Sequence, residues 1–308
     1  MKVLITGGAG FIGSNLADEL IRRGHNVVVL DNLSTGNKKN LNPKAKFYKT
    51  DICSPAVFKI FKKENPEIVF HFAAQIDVRK STENPIEDTE INILGSINIL
   101  ENCRKNNVKK IIFASTGGAI YGEAEIIPTS ETYKEFPLSP YGIGKLATEK
   151  YLNYYYKVFG IPFIALRFGN VYGPRQNSKG EAGVVAIFCQ KMLANEQAII
   201  NGDGTQTRDF VFVDDVVRAA ILATESDKSG IFNIGTGKET NIKNIFIKIK
   251  ELLNSECQET YGLQKIGEQQ RSCLDYSKAL KELNWQPEFD LNKGLEKTIN
   301  WFKQENEK

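Results

Sequence analysis

The sequence predicts an α/β protein with a doubly wound parallel sheet, followed by a smaller mixed α/β lobe. Three observations support this prediction. First, short apolar runs alternate with amphipathic segments. Second, the apolar runs have the length of strands. Third, this alternation becomes less regular after about residue 170. Apolar strands separated by helices indicate a parallel sheet covered on both faces, and right-handed crossovers between the strands give the doubly wound order.

The elements of the first half follow one another in a regular order. The predicted strands are KVLIT, NVVVLD, KFYKTD, IVFHFAA, KIIFAS and PFIALRF. Helical spacing of apolar residues predicts helices over 15–23, 87–105 and 141–159. Gly24 ends the first of these helices, and Asn106 with Asn107 ends the second.

The second half of the chain differs from the first in the composition of its loops. Loops such as NVYGPRQNSKGEAG and NGDGTQTRD are rich in Gly, Asn and charge, and long loops of this kind are often functional. We therefore divide the chain into a cofactor-binding domain at 1–169 and a substrate lobe at 170–308. Some segments of the lobe are expected to return to the main sheet.

Composition narrows the function classes. The 308 residues carry a net charge of +3 without a long basic block, which argues against a nucleic-acid surface. No apolar run approaches the roughly 20 residues of a membrane span. Five scattered cysteines without a CxxC pair, and a start that enters a strand at once, predict reduced thiols and a cytoplasmic protein. The two histidines are far apart, so no metal site is expected, and His71 is predicted to be a hydrogen-bonded core residue.

The first turn, TGGAGFIGSN, carries the strongest cofactor signal. Gly8, Gly10 and Gly13 fit GxGxxG, and Gly7 with the latter two equally fits GxxGxxG. The turn follows a strand and opens a helix, where glycines let backbone N–H groups approach a pyrophosphate. This context predicts a Rossmann dinucleotide site.

Asp31 ends the second strand, 18 residues after Gly13. A carboxylate there accepts hydrogen bonds from both adenosine ribose hydroxyls and repels a 2′-phosphate, which favours NAD over NADP. Lys38 and Lys39 are the residues that could instead neutralise such a phosphate. Asp51 ends the third strand and either faces the adenine or is a solvated loop residue.

Tyr141 and Lys145 form the stretch YGIGK, where i and i+4 spacing places them on one helix face. A nearby cation stabilises a phenolate and lowers the pKa of the tyrosine, so the pair suits general acid–base chemistry. The strand KIIFAS ends in hydroxyls at Ser115 and Thr116, followed by Gly117 and Gly118 instead of a carboxylate.

These motifs, in this order, together with RFGNVYGPRQ and GDGTQTRDFVFVDDV, resemble the extended short-chain dehydrogenase/reductase family, and most closely its UDP-glucose 4-epimerase group. The resemblance runs from about residue 1 to residue 300. It implies that Tyr141 is the acid–base and that Lys145 holds the nicotinamide ribose and tunes Tyr141. It also implies a bridging hydroxyl between tyrosine and sugar, which is Thr116 or, alternatively, Ser115.

The resemblance also implies the residues that contact the two ligands. The cofactor contacts for NAD are Gly7, Gly10, Phe11, Ile12, Gly13, Asp31, Asn32, Asp51, Ile52, Ala73, Ala74, Asn92, Tyr141, Lys145 and Phe168. The contacts for a UDP-sugar are Asn170, Arg208, Lys265, Glu268, Arg271 and Ser272. Lys265 stands where the family usually has arginine, and Arg271 is expected to compensate. The small Ser272 matches a gate position and predicts tolerance of an N-acetyl group.

Members of this family oxidise the sugar 4-hydroxyl first and differ in the next step. Dehydratases and decarboxylases carry a carboxylate after the Thr, and here Gly117 and Gly118 stand there. We therefore expect 4-epimerisation of UDP-sugars, with both glycines leaving space for a sugar that turns over. The alternatives are a dehydratase, decarboxylase or reductase, and a non-catalytic NAD-binding sensor. The tyrosine-rich helix at 141–159 and the resemblance imply a homodimer through a four-helix bundle.

Overall fold

The computed structural model describes residues 1–178, 183–263 and 269–307. The strands are β1 (Lys2–Thr6), β2 (Asn26–Asp31), β3 (Lys46–Lys49), β4 (Ile68–His71), β5 (Lys110–Thr116), β6 (Phe163–Phe168), β7 (Asn170–Tyr172), β8 (Ile199–Asn201), β9 (Thr207–Arg208), β10 (Phe210–Phe212), β11 (Gly230–Ile234), β12 (Thr240–Asn241) and β13 (Thr260–Gly262). The six strands predicted from the sequence are confirmed as β1 to β6.

The helices are α1 (Phe11–Arg22), α2 (Ala56–Glu64), α3 (Val78–Glu83), α4 (Pro85–Thr89), α5 (Ser96–Lys105), α6 (Gly117–Ile120), α7 (Pro140–Phe159), α8 (Val184–Leu193), α9 (Val213–Glu225), α10 (Ile242–Leu253), α11 (Ser277–Leu283) and α12 (Leu291–Asn306). The helix predicted over 87–105 is divided, because a π-helical turn at Glu90–Gly95 joins α4 to α5. Sequence analysis did not identify α2.

The main sheet has seven strands in the order β3-β2-β1-β4-β5-β6-β11, and every adjacent pair is parallel. This is the predicted doubly wound order. Its outermost strand, β11, comes from the second half of the chain and pairs with β6. Smaller two-stranded pairs form the rest of the lobe's β-structure among the described residues.

Both faces of the sheet are covered by apolar packing. On one face, buried side chains of α1 and α9 pack against the sheet, and this core continues into α8, α10 and α12 of the lobe. On the other face, α2, α5 and α7 cover a second core. This double burial explains why the central strands β1, β2 and β4 are largely apolar and do not alternate between apolar and polar residues. The shared core explains why the lobe packs closely on the sheet.

Local signals fix the ends of α7, the helix that carries YGIGK. Ser139 caps its first turn by accepting a hydrogen bond from the Gly142 backbone N–H at 3.2 Å, and Pro140 occupies the first helical position. Gly160 ends the helix with a φ of +70°. None of the helices among the described residues is long and apolar enough to cross a membrane.

Candidate active site

The carboxyl ends of the parallel strands meet at one edge of the sheet. That edge carries Thr6 of β1, Asp31 of β2, His71 of β4, Thr116 of β5 and Phe168 of β6. The strand order reverses between β1 and β4, and crevices at such a reversal are the usual ligand sites of doubly wound sheets. The sequence-predicted residues therefore converge although they are far apart in the chain.

The glycine turn between β1 and α1 is needed for packing and also leaves an opening. A Cβ on Gly7, whose φ is +72°, would lie 2.7 Å from the Ala73 backbone nitrogen, and one on Gly13 would lie 2.3 Å from Gly7 O. A Cβ on Gly8 would meet Val29 at 2.7 Å. Gly10 differs, since among the described residues a Cβ there would meet a single atom within 4 Å, Gly7 O at 3.2 Å. The open position therefore lies at the N-terminus of α1, where backbone N–H groups suit a pyrophosphate.

Asp31 is 7% exposed and is bound to the same turn. Its carboxylate accepts hydrogen bonds from the Ala9 N–H at 2.9 Å and the Leu33 N–H at 2.8 Å. A buried, backbone-bound carboxylate at this place suits the ribose diol of NAD and disfavours a 2′-phosphate. Lys38 and Lys39 are exposed in a short 3₁₀ turn beyond it.

Two further residues of the predicted cofactor set, Asn32 and Asp51, are hydrogen-bonded to each other. Asn32 donates a hydrogen bond from Nδ2 to Asp51 Oδ2 at 2.7 Å, and the Cys53 backbone N–H donates to Asp51 Oδ1 at 2.8 Å. Partial burial raises the pKa of Asp51, but these hydrogen bonds outweigh it and leave the pKa below its ordinary value. Asp51 is therefore a structured residue beside Asn32 and not a freely solvated one.

On the β4 side, Ala73 packs against the glycine turn, and its backbone N–H donates to Thr6 Oγ1 at 3.1 Å. Asn92 is 3% exposed, donating from Nδ2 to Gln75 O and accepting from the Gln75 N–H, both at 2.9 Å. Ile52, also buried, packs on Gly95 in the π-helical turn. The residues around the crevice thus fit a dinucleotide in both shape and donor chemistry.

His71 is a core residue, as predicted. Its ring nitrogens lie 2.8 Å from Thr6 Oγ1 and 2.9 Å from Ser96 Oγ, and the residue is 1% exposed. Burial lowers its pKa to about 3, so the ring is neutral. Among the described residues, no group of His, Cys, Asp and Glu side chains could hold a metal ion.

Tyr141 and Lys145 lie on one face of α7, beside the end of β5. Lys145 Nζ donates to Ala114 O at 2.8 Å and lies 4.7 Å from the centre of the Phe113 ring and 5.9 Å from that of Tyr141. Burial lowers the pKa of Lys145 to about 8, against the opposing effects of the Asp88 and Glu149 carboxylates. A lysine in this position is readily influenced by neighbouring charge.

The pKa of Tyr141 differs from the sequence-based expectation. Desolvation raises it to about 12, and the negative charge of Asp88 acts in the same direction. A hydrogen bond with Thr116 opposes this rise. Lys145 therefore does not by itself bring the tyrosine to a low pKa. The resting pair is a neutral phenol beside an ammonium.

The two candidate hydroxyls have separate surroundings. Thr116 is partly exposed and lowers the pKa of Tyr141, whereas Ser115 is 4% exposed and donates to Glu149 Oε1 at 2.6 Å. Successive strand residues point to opposite faces, so the end of β5 can present only one of them to Tyr141. The structure brings Thr116, Tyr141 and Lys145 together and places Ser115 in a buried network.

That buried network was not found from the sequence. Arg167 is 0% exposed and binds Glu149 through Nε at 2.9 Å and Nη2 at 2.6 Å. Its Nη1 donates to the Tyr121 hydroxyl at 2.9 Å, and Nη2 also reaches Glu135 at 3.0 Å. The ion pair joins β6, α7 and the segment that follows the glycine pair. The only sequence signal for this ion pair is one charged residue in PFIALRF, Arg167, and another in the helix that carries YGIGK, Glu149. The two residues are 18 positions apart in the chain, so the sequence does not show that they pair.

The two glycines after Thr116 have different roles, so the expectation that both make room for a sugar is wrong for one of them. A Cβ on Gly117 would lie 2.5 Å from Leu274 Cδ1, which makes this glycine a packing requirement. Within the described part of the chain, a Cβ on Gly118 would meet Asn170 Oδ1 at 3.8 Å and Thr116 Oγ1 at 3.9 Å and nothing closer. Gly118 therefore faces the open space between the predicted hydroxyl and Asn170. Both glycines lie in α6, not in an irregular loop.

On the lobe side, Arg208 lies in β9, and its Nη1 donates to Thr207 O at 2.8 Å. The next residue, Asp209, is 0% exposed and accepts from the N–H groups of Thr236, Gly237 and Leu274 at 2.7 to 3.1 Å. This carboxylate fastens β9 to the segment that packs on Gly117. It was not identified from the sequence.

The remaining predicted substrate residues lie near β9 or outside the described residues. Ser272 is 5% exposed and its N–H donates to Thr207 O at 3.3 Å. Arg271 pairs with Glu239 through hydrogen bonds of 2.9 and 2.6 Å, which limits its predicted compensating role. Lys265 and Glu268 lie outside the described residues.

Comparisons with known proteins agree with this geometry. A model of the NAD-dependent epimerase/dehydratase family matches residues 3–235. The chain is 41% identical over 309 residues to the UDP-glucose 4-epimerase of Mycolicibacterium smegmatis, covering 98% of this chain and 99% of that one.

Two solved structures are similar over nearly the whole chain. One is the Thermotoga maritima UDP-glucose 4-epimerase with UDP-glucose, at 47% identity and a TM-score of 0.98, covering 99% of this chain and 100% of that one. The other is the Thermus thermophilus UDP-glucose 4-epimerase in complex with NAD, at 40% identity and a TM-score of 0.95, covering 98% and 99%.

Proposed function

Because the chain belongs to the NAD-dependent epimerase/dehydratase family, we propose that it is an NAD-dependent UDP-glucose 4-epimerase. The observation that carries this proposal is the cluster of Thr116, Tyr141 and Lys145 beside an open glycine, Gly118, where an acid for elimination would otherwise stand. The cluster supplies proton transfer at one hydroxyl and nothing for a second bond cleavage.

The glycine turn with Gly10 open, the buried Asp31, and Ala73 and Asn92 beside that turn support NAD binding. Bound NAD⁺ accepts the hydride from C4 of the sugar and returns it. Tyr141 first releases its phenol proton to solvent, a loss that the positive charges of Lys145 and of bound NAD⁺ would favour; the phenolate, aligned by Thr116, then takes the proton of the 4-hydroxyl as the hydride leaves. It gives the proton back once the 4-keto sugar has turned over and accepted the hydride on its other face.

Lys145 has two roles in the proposed reaction. Its ammonium is anchored on Ala114 O, and it supplies a positive charge near the phenolate that Tyr141 must become. Because desolvation raises the pKa of Tyr141 to about 12, the phenolate depends on the positive charges gathered around it. The elevated pKa also keeps the proton on Tyr141 in the resting enzyme.

Asn170 and Arg208 are proposed to hold the diphosphate of the UDP-sugar. Asn170 lies close to the catalytic cluster, since its Oδ1 is 3.8 Å from the Cβ position of Gly118. Arg208 is set on β9 by the buried Asp209 that follows it. Ser272 is small and buried beside β9, and we propose that it admits an N-acetyl group at C2 of the sugar.

A homodimer is proposed through α7 and α5. Ile143, Tyr151, Tyr154 and Val158 lie along one stripe of α7, and each is at least 40% exposed. Such a stripe of large apolar side chains is typical of an interface. Light scattering at micromolar concentration should give twice the chain mass, and Tyr154→Asp should shift it to the monomer. A monomeric wild type would contradict the proposal.

The activity is tested by incubating purified, NAD-loaded protein with UDP-galactose and following UDP-glucose. Turnover without net redox, abolished in Tyr141→Phe, is the expected result. The matched control Tyr156→Phe, at an exposed tyrosine on the same helix outside that stripe, should keep full activity. Accumulation of a 4-keto-6-deoxy sugar would show a dehydratase instead.

A further inference from the structure

Asp88 is a buried carboxylate beside the catalytic pair that the reaction scheme does not use. It lies in α4, which packs against α7, and it is 1% exposed. Its Oδ2 is 3.4 Å from the Cβ position of Gly144, the residue directly before Lys145. Glycine at this position lets the carboxylate approach the helix between Tyr141 and Lys145.

The orientation of the carboxyl group is set by two amides. Asn92 Nδ2 and Gln75 Nε2 both donate to Asp88 Oδ1 at 2.9 Å. Neither amide can be reversed without loss, because Asn92 Oδ1 accepts the Gln75 N–H at 2.9 Å and Gln75 Oε1 accepts the Asp77 N–H at 2.6 Å. Oδ1 must therefore be an acceptor. Burial raises the pKa of Asp88, whereas the two amide donors and the positive charge of Lys145 oppose that rise and favour the ionised form.

The other oxygen, Oδ2, has no hydrogen-bond partner within the described part of the chain, and Asp88 forms no ion pair there. An anion that is buried and only half satisfied is costly, so its charge acts on the nearest ionisable groups. Those groups are Lys145 and Tyr141.

The other charged and titratable groups near this pair do not replace Asp88. Glu149 also acts on Lys145, but Arg167 neutralises it at 2.6 Å. His71 is neutral, because burial and the Lys145 charge lower its pKa to about 3. Glu87, beside Asp88 on α4, points to the surface and pairs with Lys80 at 2.6 Å.

We propose that Asp88 is a positioning residue whose ionised carboxylate keeps Lys145 protonated and holds the proton on Tyr141 in the resting enzyme. Its negative charge opposes the desolvation that would otherwise release the proton of Lys145. The same charge disfavours an early phenolate at Tyr141. This inference rests on the proposed 4-epimerase function.

The test is the pH profile of kcat for UDP-galactose with NAD-loaded holoenzyme. Asp88→Asn removes the charge and keeps an oxygen for the two amide donors. Because one negative charge is lost, both Tyr141 and Lys145 should release their protons more easily, and both limbs of the profile should move to lower pH by about one unit. Glu87→Gln removes the same charge one residue away and should leave the profile in place.

A fall of kcat by the same factor at every pH, with both limbs unmoved, would overturn the proposal, because that is what a purely structural role predicts. If Asp88→Asn does not fold, Asp88→Ser removes the same charge with a smaller side chain and should give the same displacement. If the wild type turns over no UDP-sugar, the proposed function fails, and Asp88 is judged separately. The phenolate absorbance of Tyr141, taken as the difference from Tyr141→Phe, should then titrate at lower pH in Asp88→Asn, and an unchanged titration would refute the role.

Discussion

Substitutions of the two neighbouring hydroxyl residues at the end of β5 should have different effects. Replacing Thr116 should lower activity, and replacing Ser115 should lower stability. Thr116→Val keeps the shape of the side chain and removes the hydroxyl that lowers the pKa of Tyr141. Proton transfer through a positioned group contributes about 10²–10⁴-fold to a rate, so we expect kcat to fall by about 10²-fold or more. The melting temperature should change little, because Thr116 is partly exposed.

Ser115→Ala should have the opposite result. The lost hydrogen bond is buried and joins Ser115 Oγ to the charged Glu149 at 2.6 Å, a class of interaction that contributes about 1.5–3 kcal/mol. The affected oxygen, Glu149 Oε1, still accepts from Arg167 Nε at 2.9 Å, so it is not left unsatisfied. We therefore expect a loss of about 1.5–2 kcal/mol of unfolding free energy, at the low end of that class, and a nearly normal kcat.

Both variants are measured by coupled detection of UDP-glucose formed from UDP-galactose, and by urea denaturation. The reasoning is refuted if Ser115→Ala lowers kcat as much as Thr116→Val while its unfolding free energy is unchanged. Tyr141→Phe provides the baseline for loss of the acid–base group.

Four further predictions follow from the structure. Gly117→Ala should cost about 1–3 kcal/mol of unfolding free energy by overpacking, while Gly118→Ala should fold normally and raise KM; equal effects would contradict the assignment. Arg167→Leu leaves a buried glutamate unpaired and should destabilise by about 3–5 kcal/mol in denaturant titration, so a loss under about 1 kcal/mol would refute the buried pair. His71 is neutral when folded, with a pKa lowered to about 3, and gains a proton on unfolding at its ordinary value of 6.5. Stability should therefore fall by up to about 1.4 kcal/mol per pH unit below that value, and His71→Gln should show a smaller slope; identical slopes would argue against it. Ser272→Tyr should remove UDP-GlcNAc turnover selectively, and equal loss of UDP-galactose turnover would count against a gate.

Much of the fold could be predicted because its signals are local. Apolar runs of strand length define β1 to β6, and Gly13 marks the start of α1 by allowing close approach to the preceding strand. The i and i+4 spacing of Tyr141 and Lys145 places them on one helix face without knowledge of any other element. The division of the segment at 87–105 was not predicted, because a π-helical turn leaves the apolar spacing nearly intact.

The sequence by itself determined the strands β1 to β6, the cofactor turn and the chemical identity of the acid–base pair, because each depends on residues that are neighbours in the chain. Tertiary structure alone decided which hydroxyl meets Tyr141, which glycine faces the open space, and that Asp88 lies behind Lys145. Those outcomes depend on how β5 sits against α7 and how α4 packs on it. The side of a strand or helix that meets a partner far along the chain is set by packing of the whole core, which no local pattern records.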